Sequence, residues 1–192
     1  MKALLFSGGI DSTCLAWIER PDRLVFVDYG QIPAEGELRA CRAVAEELSL
    51  PFDVLQTDLR LLGSGVMAGV SNARDRRPEF WPFRNQMLIT LAAMALERHG
   101  LSEILVGTVR TDRQHPDGRL RFINAMNRVL QSQSAISLRA PAANETTEEL
   151  VARSGVPLSV LGWTFSCHTG EWACGQCNGC RKHLDVMASL RD

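Results

Sequence analysis

The sequence has almost no imbalance of charge: 21 basic residues stand against 22 acidic ones, a formal net charge of -1. That argues against non-specific nucleic-acid binding as the main role, because such binding draws on a strong cationic field; a local basic patch is still allowed. Long hydrophobic runs are also absent, and nothing approaches the roughly 18 apolar residues of a membrane span. The N-terminus lacks the basic, apolar, cleavable pattern of a targeting segment and enters an apolar strand at once. A cytoplasmic protein with no membrane partner is therefore expected. There is no internal repeat and no low-complexity tail. Disulfides are not expected in that compartment, so the six cysteines, where clustered, point to metal. What is present is a chain of 192 residues, 45% hydrophobic, enough for one domain with a real core or one domain with a small appendage.

Along that chain, short apolar runs alternate with helical periodicity. Residues 3–6, 23–28, 52–55, 103–107 and 136–138 read as strands. Helices are expected from Asp11 onward and over 34–48, 84–98, 120–130 and 146–153, the last opening on Thr146 and Glu149 at capping-box spacing. Strand–helix alternation predicts an α/β fold, a doubly wound parallel sheet of about five strands with helices on both faces. Such sheets bind ligands outside the carboxyl ends of their strands. Two stretches break the pattern. Residues 63–83 are rich in Gly, Arg and Pro and read as a lid or long loop. Residues 163–180 are dense in Cys and Gly. The division expected is a main domain over 1–160 and a four-cysteine segment over 161–192, packed on it.

The first strand runs into Ser7-Gly8-Gly9-Ile10-Asp11-Ser12. A strand, a glycine turn and a helix N-terminus make an anion site, since free N–H groups and the helix dipole point outward there. The glycines allow a tight turn and a close ligand approach. Asp11 serves as a helix cap and as a group that orients Mg²⁺ or phosphate. The turn is neither a Walker loop, which needs a lysine, nor the dinucleotide fingerprint, which needs a third glycine. Asp28 closes the second strand, where a ribose or adenine contact would lie, although a plain turn acid fits as well. Arg84 opens a helix where a cation opposes the dipole, a misfit that favours a ligand role. Asp112 lies just past the fourth strand, where a substrate would meet the sheet. Trp163, Phe165 and Trp172 read first as packing residues.

Cys167, Cys174, Cys177 and Cys180 form C-x6-C-x2-C-x2-C. Four thiolates close a tetrahedral zinc site, and an iron–sulfur cluster is the rival, because C-x2-C-x2-C also occurs in ferredoxins. His168 and His183 lie near but read as bystanders, and Cys14 and Cys41 as buried core thiols.

The S-G-G-x-D-S loop resembles that of the adenine nucleotide alpha-hydrolase superfamily. That loop, followed by "DYGQ" at 28–31, Arg84-Asn85, "GTVRTD" at 107–112 and the cysteine cluster, resembles the 7-cyano-7-deazaguanine synthase (QueC) family from about residue 2 to about residue 190. The resemblance implies that Ser7, Gly8, Gly9, Asp11, Ser12, Asp28, Arg84 and Asn85 bind ATP with Mg²⁺, and that Asp11, Arg84 and Asp112 take part in catalysis. It tips the four cysteines to structural Zn²⁺. The reaction implied is adenylation of the carboxylate of 7-carboxy-7-deazaguanine, attack by ammonia, and dehydration to the nitrile. The chain departs from that family at four places. Arg110 stands for an acid, Gly118 for a cysteine, Thr146 for a lysine, and Phe83 for the glycine before Arg84. These departures keep a second outcome open, an amide or a conjugate to a protein amine, of the kind expected for a diverged member in an antiviral gene cluster. A non-catalytic nucleotide-binding partner subunit is a third. A homodimer is left open.

Overall fold

The structure is a computed structural model that describes residues 1–70 and 79–190. Positions 71–78 of the expected lid, and 191–192, lie outside the described residues.

Five strands form one all-parallel sheet: β1 (Lys2–Leu5), β2 (Arg23–Asp28), β3 (Phe52–Gln56), β4 (Glu103–Leu105) and β5 (Ser137–Arg139), in the order β3-β2-β1-β4-β5. Register pairs Leu4 with Leu24 on one side and with Leu105 on the other. Because both faces are covered, the inner strands carry near-continuous apolar runs such as "LVFV" in β2. Alternate residues take alternate faces. Leu4, Leu24, Phe26 and Leu105 pack with α1 (Ile10–Glu19), α2 (Ala34–Leu48), α5 (Thr147–Ser154) and α6 (Leu158–Leu161). Ala3, Val25, Val27 and Ile104 pack with α3 (Arg84–Leu96) and α4 (Leu120–Gln131). Each fully buried Leu or Phe of these layers contributes about 1.5–3 kcal/mol by leaving water. Among the described residues, no helix is long and apolar enough to cross a membrane.

The bounds of β2 and α2 are those the sequence predicts, and Thr146 caps α5 as expected. Its hydroxyl accepts from the Glu149 N–H at 3.2 Å, and the Glu149 carboxylate accepts from the Thr146 N–H at 2.7 Å. The helix over 84–98 ends sooner, at Leu96, and tightens into a turn at Glu97–His99 closed by Gly100 at φ 80°. Strand β4 ends at Leu105, although the Val106 N–H still donates to Arg139 O. Two helices escape the sequence pattern: α6, and α7 (Asn178–Ser189), which grows directly out of the cysteine cluster. Val186 of α7 is buried in the same core cluster as α1.

The order of strands reverses between β1 and β4. The chain winds outward from β1 through β2 to β3, then returns to β4 and β5. A crevice therefore opens above the carboxyl ends of β1 and β4, the place where such sheets hold ligands. Gly107, just past β4, lies so close to α1 that an added Cβ would stand 3.4 Å from the Ser12 Cα.

Candidate functional site

A cavity of about 460 Å³ fills this crevice. Ser7, Gly9, Asp11, Ser12, Arg84, Asn85 and Asp112 line it, so most of the residues singled out from sequence converge there. Gly8 and Asp28 are not on its wall. Gly8 has φ 72°, and an added Cβ would stand 2.9 Å from Ala40 Cβ and 3.0 Å from Glu37 O. Its glycine is required by α2 behind the loop. Asp28 accepts a hydrogen bond from the Gly30 N–H at 3.0 Å, the work of a turn acid.

The loop itself is tightly wired. Ser12 donates to Gly9 O at 3.0 Å, and the Ser7 and Ser12 hydroxyls are 3.4 Å apart. The expected cap on α1 is absent: Gly9 holds the N-cap position, and no side chain caps the first turn. Those N–H groups are left for a ligand, which favours an anion. Asp11 turns away from capping. One carboxylate oxygen accepts from Lys182 Nζ at 3.1 Å, and the other is buried with no hydrogen-bond partner among the described residues. Burial pushes the Asp11 carboxyl up from its ordinary value, against the pull of Lys182.

Lys182 was not singled out in the sequence, because α7 was not expected. It sits two residues after Cys180 and lines the cavity. Three other contributors were also missed. Glu37, on the first turn of α2, accepts from the Gln31 side-chain amide at 2.8 Å; burial pushes its pKa up to about 7, even though Gln31 and Arg84 pull it down. Tyr29 is pushed up to about 12 by burial. Asp117 is buried and lines the cavity floor. These residues surround Arg84, whose Nε donates to Asn85 at 3.3 Å. Burial works against the Arg84 charge, but Tyr29, Asp117 and Glu37 hold its pKa above the ordinary value. The cation that opposes the α3 dipole is thus held by acids on three other segments.

Asp112 also has a local role, accepting from the Val109 N–H at 3.0 Å. The substituted positions are mostly absorbed by structure. Arg110 does not line the cavity; it pairs with Glu149 at 3.2 Å and donates to Asn144 O. Thr146 is a helix cap. At Gly118 an added Cβ would stand 2.3 Å from Asp112 O, so this backbone accepts no side chain there. Phe83 holds φ 64° and ψ 0°, a left-handed conformation that suits glycine.

The four predicted cysteines meet. Their sulfur atoms all lie within 4.8 Å of one another, with Cys174 and Cys180 at 3.9 Å. Thiolates about 2.3 Å from one central ion stand about 3.8 Å apart, so the set can hold a metal ion. Backbone N–H groups already point at the sulfurs: Gln176 and Cys177 donate to Cys174, His168 and Cys180 to Cys177. Thr169 and those N–H groups pull Cys174 down to about 5. His168 and His183 are outside the ligand set, as expected; burial lowers both of their pKa values, and Ser166 meets His183 Nδ1 at 3.2 Å. Cys14 and Cys41 are buried core thiols, also as expected. The aromatic trio divides. Phe165 lines the cavity and sits against Gly36, and its N–H donates to Gly8 O at 2.9 Å. Trp163 and Trp172 are exposed rather than packed, with Arg39 4.1 Å above the Trp172 ring.

Residues 2–190 match the family model described as queuosine biosynthesis protein QueC. The chain is similar to the 7-cyano-7-deazaguanine synthase of a Nitratiruptor species, at 31% identity over 96% of this chain and 92% of that protein. It is 34% identical to 7-cyano-7-deazaguanine synthase 1 of Desulfitobacterium hafniense, over 92% of this chain and 86% of that one. With the Methanospirillum hungatei synthase it shares 30% identity over 99% and 96%. Among solved structures it resembles the U34-tRNA thiolase NcsA from Methanococcus maripaludis with its 4Fe–4S cluster, at a TM-score of 0.53 and 12% identity. That likeness covers 99% of this chain but 65% of the thiolase chain, and it establishes the shared fold.

Proposed function

The chain belongs to the QueC family, and on that premise we propose that it uses ATP to adenylate the carboxylate of 7-carboxy-7-deazaguanine and then transfers the acyl group to an amine. The observation that carries this reading is the uncapped N-terminus of α1, facing a cavity that also holds Asp11, Lys182 and Arg84. An oligophosphate fits that combination of free N–H groups and cations. The residues also fit Mg²⁺: Asp11 has a buried carboxylate oxygen with no partner, and a divalent ion on it would offset the charge of departing pyrophosphate.

In this reading Ser7, Gly9 and Ser12 hold phosphate through the loop. Arg84 and Lys182 face the charge that develops when a substrate oxygen bonds to the alpha-phosphorus and pyrophosphate leaves. Amine attack on the carbonyl carbon then expels AMP. The four cysteines fit zinc. A multi-iron cluster places irons and sulfides between its thiolates and needs them further apart than one ion does. Zinc there supplies rigidity, holding α7 and Lys182 against the loop. Residues 161–190 are in this sense a metal-braced wall of the main domain.

The finer outcome turns on the amine. Ammonia, a second activation and dehydration give 7-cyano-7-deazaguanine. Gly118, which lines the cavity where the resemblance expects a cysteine, keeps a second reading in view, in which the reaction stops at an amide or joins a protein amine. Incubation with ATP, Mg²⁺, the deazaguanine acid and ammonium, followed by mass spectrometry, separates these. Pyrophosphate with nitrile supports the synthase. Pyrophosphate with amide, or with a protein gaining the acyl mass, supports the second reading. Orthophosphate alone, or no turnover, contradicts adenylation.

A further inference from the structure

We infer that Asp117 is the base-reading group of the cavity, its carboxylate accepting from the N1–H and 2-amino group of a guanine-type ring; this rests on the substrate class proposed above. Asp117 is 6% exposed, and its Oδ2 is buried with no hydrogen-bond partner among the described residues. Buried carboxylates are almost always hydrogen-bonded, and an ionised one can only accept. Arg84 is close enough for its charge to be felt, but its own side-chain bonds go to Asn85, to the Met67 sulfur and to Tyr29. Asp117 therefore has a compensating charge nearby, an unused acceptor, and a place among the residues that line the cavity.

The backbone that carries the carboxylate is pinned on both sides. It sits on a single 3-10 turn, Pro116–Gly118, in which the Gly118 N–H donates to His115 O at 3.2 Å. Gly118 lies hard against the Asp112 carbonyl, and Arg119 Nε donates to Arg113 O at 2.9 Å. The neighbouring wall suits a flat heterocycle. Phe80 and His115 lie nearly parallel, 14° apart with ring centres at 5.7 Å, and Leu88, Ile89, Phe122 and Ile123 add apolar surface.

The donor pattern selects the ligand. A carboxylate with two acceptors matches two adjacent donors, which a 2-amino-4-oxo ring presents side by side. Adenine offers one donor beside an acceptor and mismatches, so Asp117 does not read the base of ATP. An amine is the competing occupant, and it predicts different kinetics.

The test compares 7-carboxy-7-deazaguanine with the analogue lacking the 2-amino group. Equilibrium binding and pyrophosphate release are measured for the wild type and for Asp117→Asn, which puts a donor where an acceptor stood. The wild type is expected to favour the amino compound by about tenfold or more. Asp117→Asn is expected to bring the two compounds within about twofold of each other, with ATP binding unchanged. Should that variant not fold, Asp117→Glu keeps both acceptors and is expected to retain the preference at lower affinity. A wild-type preference that survives Asp117→Asn, or is lost in Asp117→Glu, overturns the inference. So does a rise in KM for ammonium alone, which would assign Asp117 to the amine. A wild type that binds ATP but neither deazaguanine overturns the substrate class itself, a result distinct from the others.

Discussion

Phe83 and Glu37 are where single residues sit at odds with their surroundings. Phe83 is 74% exposed and held at φ 64° immediately before Arg84. A non-glycine residue in that region costs about 1–2 kcal/mol, and glycine's extra chain entropy returns about 0.5–1. Phe83→Gly is therefore expected to stabilise the protein by about 0.5–1 kcal/mol, seen as a higher urea midpoint at an unchanged m value; a lower midpoint would mean that the ring makes contacts worth more than the strain. Glu37 carries the opposite kind of tension. Its folded pKa of about 7 lies above the ordinary 4.5, so between those values the folded state binds more protons than the unfolded one. The contribution of Glu37 is fully present below about pH 4.5 and is lost as pH rises through 7. Glu37→Gln mimics the protonated form, so its stability relative to wild type should climb across that window. A difference that stays flat with pH would show that Glu37 titrates normally.

At the scale of elements, the segment that matters most is α7. It begins in the cysteine cluster, buries Val186 in the main core and hands Lys182 to Asp11. Little room separates it from its neighbours: an added Cβ at Gly179 would stand 1.9 Å from Ser166 O. Cysteine cluster, helix and loop are thus coupled in series. Chelation, or Cys177→Ser, is expected to loosen α7 and to weaken ATP binding with it. Lys182→Met should weaken ATP about tenfold, the loss of one charge-assisted bond, while metal content and melting temperature hold. Calorimetry with ATP, beside metal analysis of each protein, checks both. ATP affinity that survives metal loss would detach the loop from the cluster. None of this coupling could be read from sequence. The spacing of the cysteines announces a metal, but not that a helix starts on Cys177, whose sulfur accepts from the Cys180 N–H, or that Val186 is buried in the main core.

For the molecule as a whole, legibility followed the strength of the local pattern. The alternation of apolar strands with amphipathic helices is dictated by burial on two faces, and both the doubly wound class and the bounds of β2 and α2 could be read from it. The glycine turn and C-x2-C spacing were legible because each chemistry needs specific residues close together in sequence. Asp117, Glu37 and Lys182 were not, since the return of the chain past β4, the packing of α2 behind the loop and the docking of α7 respectively bring them to the cavity. Gly8 and Asp28 were legible as special positions, and each has a local role as well: Gly8 holds φ 72° against α2, and Asp28 accepts from a turn amide. The central claim is that a substrate carboxylate oxygen bonds to the alpha-phosphorus of ATP above β1 and β4. Labelling that carboxylate with ¹⁸O and following the label by mass spectrometry through one turnover tests it directly. The account predicts one labelled oxygen in AMP and none in inorganic phosphate. Label in orthophosphate, or AMP formed without label, would contradict it.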